Sequence, residues 1–118
     1  MIGKLEIEGV HLSVDDKIRS YVKKKIGNLD KYLPEHAKES AHAEVFLISG
    51  ENQAKSTICE VNLYLPKEVI NVKESAVNVF AAIDMAEDKL IIRLKKYKDK
   101  NSSKERRHLI GRFLKKAD

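Results

Sequence analysis

Between residues 41 and 72 the chain alternates apolar and polar residues in three successive runs, and from about Ala76 the apolar spacing becomes that of a helix. Ala41, Ala43, Val45 and Leu47 alternate with His42, Glu44, Phe46 and Ile48, and Ser49-Gly50-Glu51-Asn52 supplies a turn. Cys59, Val61, Leu63 and Leu65 then face one way while Ile58, Glu60, Asn62 and Tyr64 face the other. Pro66-Lys67-Glu68 makes a tight connection to a short strand over residues 69–72. Side chains in a strand point alternately to the two faces, so three such runs with short loops predict an antiparallel meander with one face to bury. The next segment can cover it. Val79, Ile83, Ala86, Leu90, Leu94 and Tyr97 lie within about 40° of one direction at 100° per residue, which predicts a long amphipathic helix.

The N-terminal part uses the same two periods. Lys4-Leu5-Glu6-Ile7-Glu8-Gly9-Val10 places Leu5, Ile7 and finally Val10 against a core and predicts a first strand. Ser13 offers a side-chain oxygen to the free amides of a helix start, with Asp15 and Asp16 in the first turn, where the dipole favours negative charge. From Val14 the set Ile18, Val22, Ile26, Leu29 and Leu33 keeps helical spacing; Gly27 interrupts it at roughly 1 kcal/mol and Pro34 ends it. The predicted fold class is α+β. The order is βαβββα, a four-stranded sheet with two helices packed on one face, as in double-stranded-RNA-binding domains, plus a basic C-terminal tail.

The expected division is a domain over residues 1–98 and a tail over 99–118. In the tail, residues 99–103 form a polar linker, and 104–116 are basic, with Leu109, Ile110, Phe113 and Leu114 spaced for a short helix. So few apolar residues cannot offset ordering entropy, so the tail is expected to be disordered when free. A chain of 118 residues suits one core, and 42% hydrophobic with 35% charged residues fits a globular protein with a charged surface. No apolar run approaches the ~20 residues of a membrane span, and MIGKLEIEGV lacks a signal-peptide core, so no membrane is expected and the cytoplasm is the expected location.

Sites for chemistry are scarce. The lone Cys59 falls on the presumed core face, where a thiol is inert. His11, His36, His42 and His108 show no spacing to one another, to Cys or to carboxylates that suggests a metal, so neither a metal nor a cofactor is expected. The five glycines are isolated, which excludes a phosphate-binding loop, and Ser13, Ser49 and Ser75 stand where caps and turns use them. No enzyme is expected.

Charge is distributed unevenly. Residues 1–88 carry 11 Lys and Arg against 15 Asp and Glu, whereas residues 89–118 carry 12 against 3. Lys89, Arg93, Lys96 and, if the helix continues, Lys100 follow i, i+4, i+7, i+11 and form one cationic ridge beside the core stripe. On the first helix Lys17, Lys24 and Lys31 recur at seven-residue intervals, partly balanced by Asp15, Asp16 and Asp30. Uncompensated cations on one flank suit a phosphate backbone, which they neutralise with release of counterions. Phe46 and Tyr64 on the other sheet face could stack on bases, but Glu44 and Glu60 beside them would repel phosphate.

With these residues placed, the chain resembles the ribosome hibernation promoting factor family, which includes the ribosome-associated inhibitor Y. The resemblance rests on Ile18-Arg19-Ser20-Tyr21-Val22 through Lys25-Ile26 and Leu29-Asp30-Lys31-Tyr32, on Ala43-Glu44-Val45-Phe46-Leu47, and on Glu60-Val61-Asn62-Leu63. Above all it rests on Asn78-Val79-Phe80-Ala81-Ala82-Ile83-Asp84 running into Asp88-Lys89-Leu90 and Leu94-Lys95-Lys96-Tyr97-Lys98. It covers residues 2–98. It implies a monomeric, non-enzymatic factor that docks near the decoding region of the small ribosomal subunit, competes with tRNA and mRNA, and stores whole ribosomes in an inactive state under stress.

The resemblance maps ribosomal RNA contacts to Lys25 on the first helix and to Lys89, Arg93 and Lys96 on the second. Lys24 and Lys100 extend the two sets, and Arg106, Arg107 and Arg112 are candidate contacts in the tail. The chain departs from the family where Ile91-Ile92-Arg93 replaces a polar Glu-Arg-Gln-like stretch, which removes one cation and shifts Arg93 by a position. It also looks like a short form, without the second domain that pairs ribosomes in long members. The alternatives are a general RNA- or DNA-binding module using the same ridge, and an adaptor whose positive end meets an acidic protein.

Overall fold

The computed structural model describes residues 1–50 and 56–101. Along the chain run β1 (Lys4–Val10), α1 (Asp16–Lys25), a 3-10 helix (Gly27–Tyr32), α2 (Glu35–Lys38), β2 (His42–Ser49), β3 (Thr57–Leu65), β4 (Glu68–Ala76) and α3 (Val79–Asn101). The strands form one sheet in the order β1-β2-β3-β4. The meander is as the alternation predicts, with β2, β3 and β4 antiparallel. After the α1 crossover, β1 and β2 pair in parallel.

One face of this sheet holds the core. Ala43, Val45 and Leu47, Cys59, Val61 and Leu63, and Ile70 and Val72 are all buried, each on every second position of its strand. They join Ile18, Val22 and Ile26 from the α1 segment and Ile83, Leu90, Leu94 and Tyr97 from α3 in a single cluster, so the helices cover this one face. Each large apolar side chain buried contributes about 1.5–3 kcal/mol, which fixes α3 as a rigid bar across the sheet. Its far end is tied down as well. The buried Tyr97 donates its hydroxyl proton to the Pro66 carbonyl at 3.0 Å, joining the last turns of α3 to the β3–β4 turn.

Several boundaries differ from the sequence expectation, each for a local reason. The N-cap of α1 is Asp15, not Ser13: its carboxylate accepts from the Ile18 amide at 2.8 Å, a charge-assisted bond that the dipole strengthens. Next, α1 stops at Lys25; the chain tightens into the 3-10 helix at Gly27, and Pro34 stands at the N-cap of α2 as well as closing what precedes it. β4 runs on to Ala76, because Lys73, Glu74 and Ser75 continue the ladder against Glu60, Cys59 and Ile58 through backbone bonds that need no apolar side chain. α3 then starts at Val79, and the Asn78 side chain accepts from the Ala81 amide at 2.9 Å.

At the end of β1 the core-facing position opposite Leu47 is Gly9, so Val10 turns outward and is 36% exposed. A Cβ at Gly9 would collide with the Leu12 carbonyl oxygen, which makes glycine the residue that lets the β1–α1 loop fold back. α3 continues past Lys98 to Asn101, through the first residues of the expected linker. The expectations for the rest of the tail, including Arg106, Arg107 and Arg112, lie outside the described residues.

Candidate nucleic-acid interface

α3 presents cations on two flanks that face different neighbours. On the β4 flank, Lys89, Arg93, Lys96 and Lys100 fall within about 60° of one another at 100° per residue, and all are exposed. Arg93 donates from Nη1 to the Asn71 carbonyl at 3.5 Å, which steadies it over the edge strand. Lys89, Ile92 and Arg93 line a shallow groove with Asn71, Val72, Lys73 and Glu74 of β4. Ile92 points to solvent, 54% exposed, because it lies roughly 160° from the buried Leu90 around the helix. Among the described residues Lys89, Arg93 and Lys96 form no ion pair, whereas Lys100 lies 3.8 Å from Glu68. The first three are therefore positive charges without an ion-pair partner among the described residues.

The other flank meets α1, and there one cation, Lys25, is balanced. Lys25 is 30% exposed, with Nζ 3.7 Å from Asp84 and 3.8 Å from Glu87. Tyr21 donates its hydroxyl proton to Asp84 at 2.6 Å, and Lys25 lies over the Tyr21 ring, 5.6 Å from its centre. The hydrogen bond to the Asp84 carboxylate, with desolvation added, pushes the Tyr21 phenol up to about 12. Tyr21 also packs edge-on against Phe80 at 5.0 Å between centres. The result is a polar clasp joining α1 to α3.

Farther along this seam Lys31 and Lys95 lie over the Tyr32 ring at 5.4 and 5.9 Å, and Lys17 lies over Phe80 at 5.9 Å. Lys24, Lys25, Lys31 and Tyr32 line a groove with Glu87 and Ile91 of α3. The structure thus brings Lys89, Arg93, Lys96 and Lys100 together and leaves Lys24 and Lys25 on the opposite flank of α3. It also adds Lys95, a cation outside the predicted ridge. Its position 100° from Lys96 signals another face, but its aromatic partner Tyr32 lies far away in sequence.

The open face of the sheet has the opposite character. His42 on β2 brings Nε2 to 3.5 Å from Glu6 on β1, and ligand atoms of Glu6, His42 and Glu44 all lie within 4.8 Å of one another. This grouping could offer three atoms to a cation, and sequence spacing missed it: Glu44 follows His42 at i+2 on one strand face, but Glu6 arrives through the β1–β2 register. Tyr64 donates to Glu44 at 2.7 Å and stacks on His42 at 5.3 Å between centres, so its ring is engaged within the sheet. The bond to Glu44 raises its phenol pKa, with smaller contributions from desolvation and the charges of Glu44 and Glu6. Burial pushes the Cys59 thiol up to about 12, and among the described residues no helix is long and apolar enough to cross a membrane.

Comparison with known proteins decides the family. Residues 5–102 match the family model of the sigma 54 modulation protein / S30EA ribosomal protein. The chain belongs to that family. It is 31% identical over 103 residues to a ribosome hibernation promotion factor of Staphylococcus aureus (strain COL), covering 87% of this chain and 52% of that one. It is 32% identical over 103 residues to a ribosome hibernation promotion factor of Lactococcus lactis subsp. cremoris (strain MG1363), covering 87% and 54%. This chain thus spans about half the length of these curated relatives. Among solved structures, the N-terminal domain of Thermus thermophilus Protein Y superposes with a TM-score of 0.68 at 32% identity, over 78% of this chain and 94% of that one. A ribosomal subunit interface protein from Coxiella burnetii shares the fold, with a TM-score of 0.66 at 20% identity, over 81% and 98%.

Proposed function

We propose that this chain is a non-enzymatic, cytoplasmic factor that binds the small ribosomal subunit through Lys89, Arg93 and Lys96 and holds ribosomes inactive. One observation carries the reading: these three cations sit uncompensated on one flank of a helix whose other side is anchored in the core. Positioned cations of this kind contact phosphate oxygens without reading base sequence, and they suit a structured RNA whose phosphates lie in a fixed pattern. The family and the names of its relatives supply the ribosome as the source of that RNA. Docked in the tRNA and mRNA channel, a rigid domain of this size blocks both ligands and so inhibits translation. Lys100 and Lys24 extend the contact, while Lys25 acts through the clasp that sets the angle between α1 and α3.

Co-sedimentation tests the reading. The full chain is expected to pellet with small subunits and whole ribosomes, to be displaced by tRNA, and to bind unrelated RNA or DNA duplexes far more weakly. Equal affinity for unrelated duplexes would instead make this a general nucleic-acid module, and binding that survives nuclease treatment would point to a protein partner.

A further inference from the structure

The sheet face turned away from the helices carries Glu6 and Glu8 of β1, Glu44 of β2 and Glu60 of β3, with Phe46, Ile48, Ile58 and Tyr64 on the same side. Glu6 and Glu44 stand opposite each other in the β1–β2 register, an arrangement that like charges disfavour. Among the described residues no lysine or arginine pairs with these four carboxylates, and the basic group nearest to Glu6 is His42 at 3.5 Å. The His42 Nε2 is itself buried without a hydrogen-bond partner. Lys4 of β1 and Lys73 of β4, the latter opposite Glu60, are the lysines on this face, so the surface is half apolar and its four carboxylates outnumber its lysines two to one.

We infer that residues 104–116 of the same chain dock on this face. The segment supplies what the face lacks: Lys104, Arg106, Arg107, Arg112, Lys115 and Lys116 against the single acid Glu105, with Leu109, Ile110, Phe113 and Leu114 among them. α3 delivers the chain to the right place. Tyr97 bonds to Pro66 and Lys100 lies beside Glu68, so α3 ends at the β3–β4 turn. The register sets Val69, Tyr64, His42 and Lys4 in a row across the sheet at that same end. Crossing from β4 to β1 takes three strand spacings, about 15 Å, and the eleven residues 102–112 reach up to about 36 Å when extended.

The alternative seat on this chain, beside Ile92, lies among Lys89, Arg93 and Lys73 with Glu74 as the acid, so a basic segment there meets mostly like charge. On the open face, by contrast, the cations of the segment neutralise the Glu6–Glu44 pair and are held on the side of the molecule away from the α3 ridge. A polyanion then competes with the sheet for the segment, which makes its release dependent on salt and on ligand. The inference stands whether or not the ridge binds ribosomal RNA.

Zero-length carbodiimide cross-linking of the full chain at low salt tests it, because the reagent joins only lysines and carboxylates already in contact. The expected result is intramolecular links from Lys104, Lys115 or Lys116 to Glu6, Glu8, Glu44 or Glu60 that persist on dilution. In the Glu6→Gln/Glu44→Gln/Glu60→Gln variant, whose changes fall on the outer face, links from these lysines to the sheet are expected to disappear. A dye on Asp118→Cys, attached while Cys59 stays buried, is expected to lose about half its anisotropy in that variant and at high salt. Links to other carboxylates, links only between two chains, or a dye equally mobile in both proteins would overturn the inference. Zinc bound by the full chain with the dye already free would overturn it too, giving the Glu6–His42–Glu44 cluster to a metal ion.

Discussion

The two sides of α3 are lined by similar numbers of lysines and arginines, drawn on one side mainly from the neighbouring helices, and use them differently. Against α1, Lys25 is matched by Asp84 and Glu87 and is committed to joining two helices, while Lys31 and Lys95 lie over the Tyr32 ring, which engages them without cancelling their charge. Against β4, Lys89, Arg93 and Lys96 have no acidic partner among the described residues, and a carbonyl steadies only Arg93. The lesson is that a count of positive charges on a helix does not locate a binding surface. What locates it is the set of charges that folding leaves unbalanced, since a charge already paired releases little on meeting phosphate.

The contrast can be broken most directly by reversing the unbalanced set. Lys89→Glu/Arg93→Glu/Lys96→Glu is expected to weaken ribosome binding at least ~100-fold, as three phosphate contacts become repulsions, while the melting temperature changes by only a few degrees. Retained affinity with an intact fold would mean that the wrong flank has been assigned. The next largest effect belongs to the clasp. Asp84→Asn replaces the charged acceptor of Tyr21 with a neutral one and removes one ion-pair partner of Lys25, and denaturant unfolding is expected to register a loss of about 1 kcal/mol, with ribosome affinity nearly unchanged.

The same clasp has a pH signature. The folded-state pKa of Tyr21 is about 12, above its ordinary value of 10.0, so the protonated phenol is favoured by folding. Its contribution is complete below pH 10 and is lost as pH rises through the interval from 10 to about 12. Ultraviolet titration is expected to show tyrosine ionisation extending late into this interval, Tyr64 and Tyr97 being raised as well, and Asp84→Asn should return the Tyr21 component toward 10; a titration unchanged by the substitution would remove the bond from the account. The smallest effect sharpens the comparison from the other side. Lys25→Met is expected to change ribosome affinity no more than a few-fold, because its charge is already satisfied at home.

Much of this organisation was legible from spacing alone. The period-two runs gave the strands and their buried faces, and the 3.6-residue stripe from Val79 to Tyr97 gave α3 with Ile92 pointing outward. The ridge was legible for the same reason, since its members share one helix. The neutralisation of Lys25 was not, because Asp84 and Glu87 come from a helix on the far side of three strands. The pairing of Glu6 with His42 and Glu44 was hidden likewise, as parallel register between β1 and β2 is set by tertiary packing. The helix start moved from Ser13 to Asp15 because both can cap, and only the position of Ile18 over the core decides which amide needs a partner.

The parallel seat of β1 has a consequence for synthesis. β2, β3, β4 and α3 follow one another along the chain and each packs on its predecessor's product, so residues 42–101 can assemble by local steps. Of these four strands β1 is made before the others, yet its one neighbour in the sheet is complete only when Ser49 has been added, and it then joins as an edge. Of the four strands β1 therefore waits longest for its partner, and during that interval the alternating Lys4–Val10 segment is an unpaired strand in a growing chain.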